Sequence, residues 1–167
     1  MSSEPILIIG AGLGGLALAQ TLRRHSIPFR IFERDAQHGA REQGWAISLH
    51  SWLMSDICKA MRDDEAGLKA IAPTAALGLP SQGAIYSLAD GGRKELFKFG
   101  EGTEQPFVRV ERAKFRDWLL QDIPVEWGKR FTEYEEHKDG VTVRFEDGTE
   151  ARGRGLVGAD GVSSHGQ

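Results

Sequence analysis

A single cysteine, Cys58, stands in the whole chain. That excludes an internal disulfide and a thiolate metal cluster. Its expected place is a buried, apolar position on the helix after His50. The five histidines, His25, His38, His50, His137 and His165, share no ligand spacing, so no metal site is expected. Apolar runs long enough to span a bilayer are lacking. Met1-Ser2-Ser3-Glu4 lacks the basic n-region of a signal peptide. A surplus of positive charge is lacking too, with 21 Lys and Arg against 24 Asp and Glu. Nothing in that balance points to nucleic acid or to an anionic membrane surface. The expectation is a cytoplasmic protein with no transmembrane segment. Its 167 residues, 40% of them hydrophobic, suffice for one domain with a core, expected over residues 1–167.

What the chain does have is glycine in one decisive place. Gly10-Ala11-Gly12-Leu13-Gly14-Gly15 follows the apolar run Ile6–Ile9, and Glu33 closes the next apolar run, Phe29–Phe32. Strand, glycine turn, helix, strand and acid in that order are the parts of a βαβ dinucleotide-binding unit. Gly10 makes the tight turn, Gly12 lets a pyrophosphate approach the backbone, and Gly15 allows close packing of the helix. The helix N-terminus then offers free N–H groups and its positive dipole end to phosphates. Glu33 lies 23 residues after Gly10, close to the roughly 20 of such units, where an acid accepts from ribose hydroxyls. A carboxylate there repels a 2′-phosphate, which favours FAD or NAD over NADP.

The rest of the chain reads as short elements. Residues 44–49 read as a short strand and 50–61 as a helix with Leu53, Ile57 and Met61 on one face. Residues 62–81 are less regular, and Pro73 and Pro80 break any long helix there. Residues 84–88 and 95–99 suggest a hairpin about Asp90-Gly91-Gly92. Phe107–Val110 is a strand, followed by a helix over 113–121 with Phe115, Trp118 and Leu119 as its apolar stripe. Val141–Phe145 alternates between Asp-Gly turns, the pattern of an antiparallel meander. Gly155-Leu156-Val157-Gly158 reads as a buried strand running into the turn Ala159-Asp160-Gly161. The fold class is α/β, a Rossmann-like βαβ fold with a parallel sheet plus an antiparallel meander.

Two further places invite a ligand. Arg112 sits at a strand-to-helix junction from which an arginine reaches across to a cofactor, although most arginines there are surface helix-start residues. Arg109 ranks lower, because alternation with Val108 and Val110 puts it on the opposite strand face. Asp160-Gly161 is either a plain turn or a polar contact for a ribityl or ribose hydroxyl.

Three ordered motifs carry a resemblance: Gly10–Gly15 with Glu33-Arg34, Val110–Phe115, and Leu156–Ser164. Together they resemble the single-component FAD-dependent aromatic hydroxylases, the para-hydroxybenzoate hydroxylase-like flavoprotein monooxygenases. Arg41–Ile47 also resembles a segment of fungal and bacterial members of that group. The resemblance implies FAD as cofactor and NAD(P)H as transient co-substrate. It further implies a small aromatic or secondary-metabolite molecule as substrate. The implied cofactor contacts are Gly10, Gly12, Gly14, Gly15, Glu33, Arg34, Ala46, Arg112, Asp160 and Gly161.

The chain departs from the family after Asp160-Gly161. Members continue through a second Gly-Asp segment and a substrate-covering sheet, whereas this sequence ends at Gln167. The basic residue usual after the second serine is missing as well, His165 standing there. The expectation is therefore a truncated, N-terminal portion of the monooxygenase fold, with no catalytic base placed by motif. Two other readings stay open: an inactive nucleotide-binding fragment, and an NAD-dependent oxidoreductase on the same βαβ unit.

Overall fold

The computed structural model describes residues 4–40, 46–71, 83–87, 94–99 and 107–161. The first strand, β1 (Ile6–Ile9), runs through the glycine turn into α1 (Leu13–Arg24) and back into β2 (Phe29–Phe32). β1 and β2 pair in parallel with Ile6 beside Phe29 and Ile9 beside Phe32. On its other side β1 pairs in parallel with β11 (Gly155–Gly158). β2 takes up a two-residue strand, β7 (Val125–Glu126), also in parallel, giving the order β11-β1-β2-β7.

Period-two alternation sends the side chains of this sheet to two separate cores. Ile8 and Ile31 face the helices, where they meet Leu16, Ala19 and Leu22 of α1. Leu7, Ile9 and Phe32 face the other way and pack on Val141, Val143, Phe145 and Ala151. Those four residues belong to an antiparallel meander of β8 (Phe131–His137), β9 (Gly140–Phe145) and β10 (Glu150–Gly153). The Phe32 and Phe145 rings stand 4.7 Å apart and join the two sheets. The parallel sheet is thus covered by helices on one face and by the meander on the other, as parallel strands require.

The middle of the chain joins the helix side. β3 (Ala46–His50) pairs antiparallel with β6 (Phe107–Glu111), and each strand leads directly into a helix. β3 enters α2 (Ser51–Ala60), and β6 enters α4 (Arg112–Leu120). Leu49 and Val110, buried on this ladder, join the helix-side core with Ile57, Phe115, Trp118 and Leu119. β4 (Gly83–Ser87) and β5 (Lys94–Phe99) form the expected antiparallel pair. The turn Asp90-Gly91-Gly92 lies outside the described residues, as do Pro73 and Pro80.

One element is additional and two expectations need correction. The less regular stretch after α2 holds a short helix, α3 (Glu65–Ile71). Its start is held by Asp64, whose carboxylate accepts from the Gly67 amide at 2.9 Å and from Trp118 Nε1 at 2.7 Å. An Asp that caps a helix and ties it to a neighbour is a tertiary device without apolar periodicity to announce it. β11 is not buried throughout: Val157 and Gly158 are exposed, because β11 is the edge strand and pairs with β1 alone among the described residues. Cys58 is half-buried against the helix-side core rather than fully enclosed.

α1 and α4 are locked together by Gln20, only 2% exposed. Its Nε2 donates to the carbonyls of Leu119 and Gln121, each at 2.8 Å. These are carbonyls at the end of α4 that no later helical turn can satisfy. Gln20→Met keeps the volume but strands the Leu119 carbonyl and leaves that of Gln121 only the long bond from Arg23 Nη1 at 3.4 Å, so urea unfolding should show a loss of about 2 kcal/mol. An unchanged midpoint would mean that water satisfies the carbonyls equally well. Asp64 generates a second, pH-dependent expectation. The Trp118 indole N–H, and after it the Gly67 amide, hold its carboxyl below the usual aspartate range. Its stabilisation is therefore present above the unfolded pKa of about 4 and is lost as pH falls through the lower folded value. Asp64→Asn should melt earlier than the wild type near neutral pH, and the gap should close as the pH drops below about 4. A gap independent of pH would contradict this.

Candidate functional site

The glycine turn is shaped by contacts to its own neighbours. Gly10 adopts φ +104°, a left-handed conformation, and a Cβ there would sit 2.5 Å from the Ala159 carbonyl oxygen. The ladder continues past the strands to enforce this approach: the Gly10 amide donates to Phe32 O and the Ala159 amide to Ile9 O, both at 2.7 Å. Gly15 is buried, and its Cβ would lie 2.0 Å from Gly10 O. It therefore packs α1 onto the turn itself, a closer constraint than the helix-to-sheet packing expected. Gly12 differs, since a Cβ there would meet only Ala159 O at 3.9 Å. Its open side faces a cleft. Gly14 is exposed and would meet nothing within 4 Å.

The N-terminus of α1 has no side-chain cap and no acid in its first turn. Its leading N–H groups are left to solvent or to a ligand, which is the arrangement that binds phosphate at helix starts.

Glu33 is only 6% exposed, so it is not the solvated strand end that carboxylates commonly form. Its Oε2 accepts from the Ala11 amide at 2.9 Å and its Oε1 from the Asp35 amide at 3.1 Å. The carboxylate thus holds the glycine turn from one side while also lining the cleft. On the other side of Ala11 stands Arg116 of α4, 2% exposed, whose Nε donates to Ala11 O at 2.9 Å. Its guanidinium lies over the Trp127 ring, 5.6 Å from the centroid. The one residue Ala11 therefore has its N–H gripped by a buried anion and its C=O by a buried cation.

The cleft measures about 420 Å³, a size suited to a small ligand or part of a larger one. Seven of the sequence-predicted residues line it: Gly10, Gly12, Glu33, Arg34, Arg112, Asp160 and Gly161. Gly15 lies beneath the turn, Gly14 outside it, and Ala46 on β3 opposite Glu111, the residue that precedes Arg112. Of Arg109 only the backbone is described, paired with Ser48. Arg41–Trp45 and Val162–Ser164, part of the motifs quoted above, lie outside the described residues.

Sequence reading missed Ala11, Arg116, Lys129, Arg130 and Phe131, which also line the cleft. Arg116 had one legible signal: it falls four residues after Arg112, on the same helix face. Lys129 and Arg130 follow the unexpected β7 and had none. The cations Arg34, Arg112, Arg116, Lys129 and Arg130 outnumber the anions Glu33 and Asp160 in a chain whose net charge is −3. Lys129 is held by Asp147 at 2.6 Å and Arg130 by Glu146 at 3.1 Å. Asp160 and Arg34 make no hydrogen bond or ion pair among the described residues. A groove of about 630 Å³ between β8, β9 and β11 adjoins the cleft, sharing Ile9, Phe131 and Asp160.

The site is thus a cationic cleft with an uncapped helix start and a buried carboxylate at the end of β2. Residues 8–48 match the family model described as NAD(P)-binding Rossmann-like domain. Over 160 residues the chain is 44% identical to the FAD-dependent monooxygenase thnD of Trichoderma harzianum, covering 95% of this chain and 38% of that relative. Among solved structures it is similar to Klebsiella pneumoniae HpxO complexed with FAD and uric acid, with 29% identity and a TM-score of 0.60 over 91% of this chain and 38% of the other. CtdE in complex with FAD shares the fold at a TM-score of 0.68 and 17% identity, over 98% of this chain and 39% of the other. The chain spans about two fifths of the length of these relatives. Within that span, its sequence and fold are similar to those of FAD-dependent monooxygenases.

Proposed function

We propose that this chain binds FAD in the cationic cleft and forms the FAD-binding portion, over residues 1–167, of a monooxygenase. The observation that carries the reading is the open side of Gly12 at an uncapped helix start, beside a buried carboxylate that closes β2. A dinucleotide phosphate fits the helix start, and Glu33 meets a ribose hydroxyl with whatever acceptor capacity the Ala11 and Asp35 amides leave. Gly10 and Gly15 shape the turn from within. Arg34, Arg112, Asp160 and Gly161 serve as the remaining contacts, with Ala46 behind Arg112. Gly14 contributes by leaving the helix start uncovered.

FAD supplies the redox and oxygen chemistry of such enzymes, with NAD(P)H as electron donor and O₂ as oxidant. This chain's residues bind and orient it. The relatives' names support oxygenation of a small molecule, and a small aromatic or secondary-metabolite compound is the proposed substrate class. The family model's description favours a second reading, in which the same cleft holds NAD as resident cofactor.

Parallel titrations distinguish the two. Fluorescence quenching should show FAD binding in the micromolar range and NAD binding at least about ten-fold more weakly, a difference of about 1.4 kcal/mol. No FAD binding at high micromolar concentration would sink the proposal. Glu33→Ala removes the acceptor of two backbone amides and the ribose contact together. It should lower both the melting temperature and the FAD affinity, the latter by about ten-fold, as loss of a charge-assisted hydrogen bond does. Full FAD affinity in this variant would remove Glu33 from the site.

A further inference from the structure

Among the described residues, Arg116 is a buried cation without a counter-ion. It is 2% exposed, yet it makes no ion pair among the described residues. Its only hydrogen bond there is from Nε to Ala11 O at 2.9 Å. No fully buried side-chain nitrogen among the described residues lacks a partner, so the two terminal guanidinium nitrogens keep some accessible surface, and Arg116 lines the cleft. A buried charge left unpaired is costly, and the cost is recovered when a ligand brings the opposite charge. The group is also pre-positioned: Nε is fixed by the Ala11 carbonyl and its face by Trp127, 5.6 Å from the ring centroid. Little rotamer freedom is left to lose when an anion arrives.

We propose that Arg116 is the fixed phosphate contact of the nucleotide in this cleft, tied to the glycine turn through Ala11. The inference rests on the reading of the cleft as a nucleotide site. The guanidinium and the uncapped start of α1 then form two walls around the same phosphates. Because Nε holds the carbonyl of Ala11, a phosphate bound to the terminal nitrogens is also in register with the Ala11–Gly12 peptide.

The test compares ligands that differ only in phosphate. FAD binding is followed by fluorescence, and ADP and adenosine compete against it, with wild type and Arg116→Gln. The variant should lose about ten-fold or more in affinity for FAD and ADP, the weight of a charged hydrogen bond. Its adenosine affinity should stay within about two-fold, since no phosphate is present to lose. Equal losses for ADP and adenosine, or no loss for either, would overturn the proposal, because a merely structural arginine does not distinguish them. If Arg116→Gln fails to fold by circular dichroism, Arg116→Lys carries the test. It keeps the charge without the fork, so ADP should weaken less than ten-fold while adenosine holds, and a parallel fall of both would overturn the proposal. Wild type that binds neither FAD nor ADP would instead defeat the nucleotide reading itself.

Discussion

The approach of the Ala159 carbonyl to Gly10 sets the geometry on which the site depends. A side chain at position 10 would overlap that oxygen, and one at position 15 would overlap Gly10 itself. Only because both positions lack a Cβ do the end of β1, the end of β11 and the start of α1 meet at one point. That meeting exposes the N-terminus of α1 toward the cleft and brings Asp160 beside it. The carbonyl of one strand end, the turn of another and the first residues of a helix are stacked without any intervening side chain. Everything that faces a ligand is arranged around this stack.

Electrostatics then fix the turn that sterics have shaped. Glu33 and Arg116 take the N–H and the C=O of Ala11 from opposite sides, each nearly removed from water. Neither is a surface charge worth a few tenths of a kcal/mol, because burial leaves little solvent to screen it. The two come from different layers of the fold, Glu33 from the end of β2 and Arg116 from α4. Gln20 and Asp64 support this indirectly. Gln20 ties the end of α4 to α1, and Asp64 ties Trp118 of α4 to the start of α3. The helix that presents Arg112 and Arg116 is thus anchored at several points away from the cleft.

Much of the frame was legible because it is local. The unbroken apolar run Ile6–Ile9 marks a strand buried on both faces, and both faces are indeed covered. The alternation of Val141, Val143 and Phe145 marks the meander strand. β7 escaped notice because two residues carry no period, and its place beside β2 depends on the sheet already existing. α3 escaped because its start is stabilised by Trp118, more than fifty residues away. The exposure of β11 escaped because its apolar letters describe propensity, whereas edge or centre is a property of the neighbours.

By itself, the sequence determined the βαβ unit, its glycine turn and the acid that closes it. Glycine conformation, helix propensity and strand period act among near neighbours and are written in short stretches. Only the tertiary structure decided that Glu33 is buried and holds Ala11, that Arg116 faces it across the turn, and that Lys129 and Arg130 complete a cationic wall. The partners Arg116 and Ala11 are 105 residues apart. No local rule relates them, and their contact exists because two cores on opposite faces of one parallel sheet fix where α4 and the glycine turn must meet.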